Sequence, residues 1–176
     1  MERFADMIGI TALGILSWQD FRFRKIAWWL LPIIVGALLV CSISKNPAAE
    51  IGREFCFNIF FLAVQFFLLW IWFAIRNRKF SKIIDTQIGL GDVLFLICIA
   101  LAFSPANFLV FYTLTMILTL TAVMISRKFI SEMKTEIPLA GALALPLIGL
   151  CMWRMVDPSK DFYSDEWLMK LLEGNS

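Results

Sequence analysis

The chain has 176 residues, of which 60% are hydrophobic and only 17% are charged, and its net charge is +2. A soluble domain of this length would carry more charge and fewer apolar residues. The composition therefore excludes an ordinary soluble protein and predicts a single domain that crosses a membrane several times. The sequence contains no histidine, which excludes Ser-His-Asp and Cys-His catalysis and imidazole metal sites.

Six apolar runs approach the roughly 20 residues that a transmembrane helix needs. They are residues 4–18, 26–43, 55–75, 92–103, 108–125 and 137–156. The first run is short and contains Asp6, and the fourth can be extended backward through Ile88. The N-terminus lacks a basic region and a small-residue cleavage site, so the first run is interpreted as a span rather than a removable signal. Pro138, Gly141 and Pro146 indicate that the sixth helix is bent or closely packed.

The basic residues predict the orientation of these spans. Ten of the 16 lysines and arginines lie in alternate loops, after the first, third and fifth runs. Loops that are rich in lysine and arginine usually face the cytoplasm. We therefore expect a multi-pass protein of the cytoplasmic (inner) membrane with both termini outside. Residues 1–156 are predicted to form the membrane domain and residues 157–176 a short extracytoplasmic amphipathic tail, in which Ser164 can cap a helix at the outer interface.

The four cysteines stand singly in apolar surroundings, at Cys41, Cys56, Cys98 and Cys151. No two of them form a CxxC pair, so a zinc knuckle or a redox motif has no support. Each is expected to be a small buried hydrophobic residue. The sequence therefore predicts no metal site.

One acid opens the fourth apolar run directly after two glycines, in Gly89-Leu90-Gly91-Asp92. An ionised Asp at membrane depth costs at least ~2.5 kcal/mol, and such residues usually mark function. The glycines allow a positive φ and a close approach of another segment to the carboxyl group. Asp92 could alternatively be the N-cap of its own helix, favoured by the helix dipole.

A second acid, Asp20, lies at the cytoplasmic end of the first predicted span. The topology places Asp20 and Asp92 at the same membrane depth on helices of opposite direction, so the two carboxylates can face each other. Two aspartates in one site can share a proton, with one acting as base and the other as acid. Such a pair activates water for attack on a peptide carbonyl. Asp20 could instead form an interfacial ion pair with Arg22, Arg24 or Lys25.

Three motifs in this order resemble those of the prepilin peptidases, which are GxGD-type intramembrane aspartyl proteases that remove the leader of type IV pilin-like precursors. The motifs are Asp20 followed by Ile26, then Gly89-x-Gly91-Asp92, then Ile137-Pro138-Leu139-Ala140-Gly141-Ala142-Leu143-Ala144-Leu145. Three features depart from the family pattern. Ala27 stands where the family has proline, Leu94 stands where it has lysine, and the third motif is matched only in part.

The resemblance implies an all-α, six-helix membrane aspartyl endopeptidase of the GxGD type. It would cut a prepilin-like or archaellin-like precursor at the cytoplasmic face, just before the precursor's hydrophobic helix. Asp20 and Asp92 would be catalytic, Gly89 and Gly91 would shape the backbone near the scissile bond, and water would be the nucleophile without a cofactor.

The expected partners are that precursor and the lipid bilayer, with no nucleic acid. Larger members of the family also carry an N-terminal segment with paired CxxC motifs and N-methylate the product. Those motifs are missing from this sequence, so the resemblance implies the short type that has peptidase but no methyltransferase activity.

Two other classes of protein stay open. A small ion-coupled or proton-coupled transporter subunit, or a channel subunit, could use Asp92 in a proton or cation path. A peptidase-like assembly protein could bind pilin precursors without cutting them, which Ala27 and Leu94 leave open.

Overall fold

A computed structural model describes residues 2–77, 89–129, 138–157, 162–163 and 165. These residues form six α-helices: α1 (Glu2–Phe23), α2 (Leu30–Ile43), α3 (Ala48–Asn77), α4 (Leu90–Ala100), α5 (Pro105–Phe129) and α6 (Leu139–Val156). The predicted all-α class is confirmed. The extension of the fourth run through Ile88, the start of the third motif at Ile137 and the tail helix capped by Ser164 lie outside the described residues.

Three of the helices are long and apolar enough to span a membrane, namely α3 over Ala48–Arg76, α5 over Pro105–Ile125 and α6. α2 and α4 are apolar but have only 14 and 11 residues. At 1.5 Å per residue they extend about 21 and 17 Å, less than the ~30 Å hydrocarbon core. α1 has 22 residues but carries acids near both ends, at Asp6 and Asp20. Three helices therefore indicate a membrane protein, and six complete spans stay a prediction.

α3 and α5 expose many of their large apolar side chains, among them Phe57, Phe60, Phe67, Trp72, Leu114, Leu118 and Ile125. Such a surface is suited to lipid rather than to water. Cys56 lies on α3 and is exposed, while Cys98 is half-buried. The prediction that all four cysteines are buried is therefore wrong for Cys56, because an apolar surround along a lipid-facing helix does not imply burial in protein. Cys41 and Cys151 are buried as expected.

α1 packs along α6 and α2, and α4 lies against α2, α3 and α6. The centre of the bundle is filled by fully buried side chains, including Leu13, Leu16, Ile34, Phe95, Ile99, Leu143 and Leu147. α1 and α2 approach closely where a Cβ on Gly9 would lie 3.3 Å from the Cβ of Ala37. Small residues of this kind allow tight helix pairing in membranes.

The carbonyl groups at the end of α4 are bound by side chains from elsewhere in the chain. The last carbonyls of a helix have no intrahelical partner, and leaving them unsatisfied in lipid costs several kcal/mol. Asn58 of α3, which is 1% exposed, donates from Nδ2 to the carbonyls of Ala100 and Phe103, both at 2.8 Å. Tyr163 donates to the carbonyl of Leu101. These contacts allow a short helix to end inside the bundle.

Candidate active site

Asp20 lies in the last turn of α1 and is 5% exposed. Its Oδ2 accepts a hydrogen bond of 2.6 Å from the backbone N–H of Gly141, in the first turn of α6. Ser17 lies three residues earlier on the same face of α1 and donates from Oγ to the carbonyl of Gly141 at 3.1 Å. α1 therefore binds both backbone polar groups of a single residue of α6.

Gly141 is required for this close approach of α1 and α6. A Cβ at that position would lie 3.1 Å from Oδ2 of Asp20 and 3.2 Å from both the Cβ of Asp20 and the Cε2 of Phe21. Two of these three neighbours are not free ends of flexible side chains, so an added methyl group would push the helices apart.

The end of α1 is fixed by Arg24, which has a φ of 53° and is the one non-glycine residue of the described chain with positive φ. Its backbone N–H donates to the carbonyl of Asp20 at 3.0 Å, which is the hydrogen bond of an αL C-cap. The Arg24 side chain also attracts the Asp20 carboxylate electrostatically. The short hydrogen bond of Asp20 goes to α6, and an interfacial ion pair with Arg22, Arg24 or Lys25 stays a prediction.

Asp92 lies at the third helical position of α4 and is half-buried. Its Oδ1 accepts a 3.0 Å hydrogen bond from the backbone N–H of Ala140. Gly89 is the N-cap residue of α4, and its backbone also hydrogen-bonds the Asp92 carboxylate, as the acid of a capping box does. Asp92 therefore stabilises the start of its own helix and the start of α6 together.

The structure brings the two predicted aspartates together, because their partners Ala140 and Gly141 are consecutive residues. Peptide nitrogens of adjacent helical residues are about 3 Å apart. Together with the two hydrogen-bond lengths, this spacing places the two accepting carboxylate oxygens within roughly 9 Å of each other. The carboxylates repel each other electrostatically, and the partial positive charge of the α6 N-terminus, about +0.5, offsets part of that repulsion.

The two predicted glycines lie beside this pair. They leave room for close neighbours, and their backbone conformation is an ordinary one. Gly89 has a φ of −65° and a ψ of 138°, and no described glycine has a positive φ. A Cβ on Gly91 would lie 3.0 Å from Cδ1 of Ile26, and a Cβ on Gly89 would lie 3.2 Å from Oδ2 of Asp92. Ile26 and Gly91 belong to the first and second motifs, so these motifs are in contact.

Sequence reasoning did not predict Ser17, the amides of Ala140 and Gly141, or a buried ion pair between Asp6 and Arg154. A signal existed for some of them. Ser17 is three residues from Asp20 on a predicted helix. Asp6 and Arg154 are ionisable residues at the same predicted depth, in the first and sixth runs.

The described ranges contain no cluster of three or more Cys, Asp or Glu side chains that could hold a metal ion. Comparison with protein-family models, curated proteins and solved structures found no match for this chain. What the site can do chemically is therefore inferred from its own residues.

Proposed function

We propose that the chain is a membrane-embedded aspartyl endopeptidase that uses Asp20 and Asp92 to cut the leader of a prepilin-like or archaellin-like precursor. The main support is the convergence of two carboxylates, from α1 and α4, on consecutive amides at the start of α6. Ionisable groups held at low exposure in an apolar bundle are costly and usually functional. Paired acids in such a site are typical of acid–base chemistry.

In the proposed reaction, a water molecule lies between the two carboxyl groups. The ionised carboxylate takes a proton from this water, and the water oxygen attacks the carbonyl carbon of the scissile peptide. The protonated carboxyl group gives its proton to the carbonyl oxygen, which yields a tetrahedral gem-diol. The carboxyl group that took the proton from water then gives it to the peptide nitrogen, and a hydroxyl of the gem-diol returns a proton to the other carboxylate. The C–N bond breaks, which leaves a free acid and a free amine and restores the starting pair.

The hydrogen bonds from α6 contribute orientation to this reaction. Asp20 has Oδ2 bound to the Gly141 N–H, which leaves Oδ1 for water or substrate. Asp92 accepts hydrogen bonds from Ala140 and Gly89, which fix its orientation, and a carboxylate still has further lone pairs to bind water. Groups held in place before the reaction lower the entropic part of the barrier. Asp92 is half-buried, so part of its side chain is open to a substrate.

The proposed orientation places this site at the cytoplasmic face of the inner membrane and both termini outside, because the basic loops lie on the side of Asp20 and Asp92. A reporter enzyme fused after Ser176 should then be active only outside the cytoplasm. Activity of the fusion inside the cytoplasm would contradict the orientation.

A second candidate, a non-cleaving assembly protein, is favoured by one observation. Asp20 and Asp92 both act as caps for the first turn of α6, and capping stabilises a helix without any chemistry. The two functions differ in what happens to a bound precursor.

A cleavage assay separates the candidates. Purified protein in detergent is mixed with a prepilin-like precursor, and the products are analysed by mass spectrometry. Cleavage just before the hydrophobic helix, unchanged by a chelator and without methylation of the new terminus, is the expected result. Binding without cleavage would favour the assembly protein, and proton or cation flux in liposomes without binding would favour a transporter. Cleavage lost to a chelator and restored by a metal would contradict the proposed chemistry.

A further inference from the structure

The end of the bundle opposite the aspartate pair holds a buried ion pair between Asp6 of α1 and Arg154 of α6, whose side chains are 5% and 8% exposed. Oδ1 of Asp6 also accepts a 3.5 Å hydrogen bond from Sγ of Cys41 on α2. Nε of Arg154 is buried without a hydrogen-bond partner in the described part of the chain. Burying such a pair adds little net stability, and its best-attested use is to fix the register of packed elements.

The spacing of the polar contacts supports this use. Asp6 and Asp20 are 14 residues apart on α1, and Gly141 and Arg154 are 13 residues apart on α6. These spacings correspond to about 21 and 20 Å along the two helices. Because the helices are antiparallel, the ion pair at one end and the Asp20–Gly141 hydrogen bond at the other form in the same register. A shift of one residue would break both.

Arg154 also connects α6 to the end of α4. Its guanidinium carbon lies 4.5 Å from the centroid of the Phe162 ring, a distance at which a cation is attracted to the aromatic face. Phe162 stacks on Phe103 with 5.0 Å between ring centroids, and the adjacent Tyr163 donates to the carbonyl of Leu101. Phe162 and Tyr163 thus hold the C-terminal end of α4, and the first turn of α4 contains Asp92.

We propose that Arg154 is a positioning residue for the candidate active site, about 20 Å away. Through Asp6 it sets α1 against α6, and through Phe162 it sets α6 against α4, so that both carboxylates meet the first turn of α6. Pro146 removes a hydrogen bond in the middle of α6, so the first turn depends on these contacts as well as on the helix itself. The effect of Arg154 on cleavage rests on the proposed peptidase function, whereas its effect on amide exchange does not.

The test compares two destabilising variants of the full chain in detergent, Arg154→Gln and Leu62→Ala. Leu62 lies on α3 and is 3% exposed, so its truncation leaves a cavity without removing the ion pair. Hydrogen exchange of the peptide covering residues 138–145 is measured at temperatures where both variants are folded. Arg154→Gln should raise exchange at Ala140 and Gly141 by at least about tenfold, while Leu62→Ala should leave it near that of the unmodified protein.

Kinetics provide a second readout. Arg154→Gln should lower kcat by about tenfold or more with KM nearly unchanged, since misplaced carboxylates affect the chemical step more than binding. Asp6→Asn should have the same effect, and the double variant should be no worse than either. If the protein cleaves no precursor, the proposed function fails, and exchange alone decides the role of Arg154.

Arg154→Lys keeps the charge but loses the planar group that lies over Phe162, and exchange at the first turn of α6 should increase by less than in Arg154→Gln. If Arg154→Gln does not fold, Arg154→Lys is compared with Leu62→Val in the same way. Exchange at Ala140 and Gly141 that is unchanged in the Arg154 variant, or equally raised in the Leu62 variant, would overturn the proposal.

Discussion

The two ends of the α1–α6 pair bury acidic side chains in different ways. At one end, Asp6 forms an ion pair with Arg154, so its negative charge is matched by a full positive charge. At the other end, Asp20 and Asp92 accept hydrogen bonds from backbone amides, which carry only partial charges. A buried ion pair is used to fix the register of packed elements, whereas paired acids are typical of acid–base chemistry. The first arrangement suits a structural role and the second suits acid–base chemistry.

The largest expected effect comes from removing the ionisable groups of the amide-bound pair. Asp20→Asn and Asp92→Asn should each reduce cleavage to background, a loss of at least about 10³-fold, and the double variant should be no worse, because parts of one catalytic unit are not additive. Cleavage rates of purified variants measure this. Glu50→Gln is the matched control, since Glu50 forms an exposed ion pair with Arg53, and it should cleave normally.

The pH dependence of the unmodified protein adds to this test. The reaction needs one protonated and one ionised carboxyl group, so the rate should fall both at low pH, where both are protonated, and at high pH, where both are ionised. The two flanks of the profile should belong to the pair rather than to either residue. Near-normal cleavage by Asp20→Asn would show that Asp20 is not part of a catalytic pair.

The next largest effect is a difference in the free energy of unfolding between variants at the two ends of the α1–α6 pair. Asp6→Asn or Arg154→Gln leaves a buried charge without its partner and should lower the free energy of unfolding by about 3–5 kcal/mol. Asp20→Asn should change it by less than about 1 kcal/mol, because the amide oxygen can still accept the Gly141 N–H. Thermal unfolding in detergent measures both. Equal losses at the two ends would mean that Asp20 has a structural role like that of Asp6.

The smallest effect concerns two glycines of α6. Gly141→Ala should lower cleavage by about tenfold and stability by about 1–3 kcal/mol, because its methyl group would overpack against Asp20 and Phe21. Gly149→Ala, on the same helix with no atom within 4 Å of the added Cβ, should leave cleavage unchanged and can gain up to about 1 kcal/mol of helix propensity. Indistinguishable cleavage rates for the two variants would argue against a tight contact at Gly141.

Much of the fold could be predicted from apolar runs, but helix ends could not. The sixth run, 137–156, agrees closely with α6 (Leu139–Val156), whereas α2 begins at Leu30 rather than at residue 26 and α3 covers Ala48–Asn77 rather than 55–75. Apolar runs mark the part of a helix that is compatible with lipid. Helical hydrogen bonding continues through polar residues beyond it, so run length and helix length differ.

The acidic residues of the candidate site could be predicted from the sequence, but the hydrogen-bond donors that bind them could not. Equal membrane depth was enough to predict that Asp20 and Asp92 can meet. The partners of these acids are backbone N–H groups of Ala140 and Gly141, and every residue except proline has such a group, so residue type does not single them out. Only the packing of α1 against α6 at Gly141 selects these two amides.

The pairing of α1 with α6 has a consequence for biosynthesis. Gly141 and Arg154 follow their α1 partners by 121 and 148 residues. At ~5–20 residues per second, α1 leaves the ribosome several seconds to about half a minute before α6. During that interval, inserting Asp6 and Asp20 into lipid would cost ~2.5–3.5 kcal/mol each. α1 therefore has a lower free energy at the interface or in contact with the insertion machinery. In the proposed six-span topology, α6 supplies the partners of both acids of α1, so integration of α1 depends on synthesis of α6.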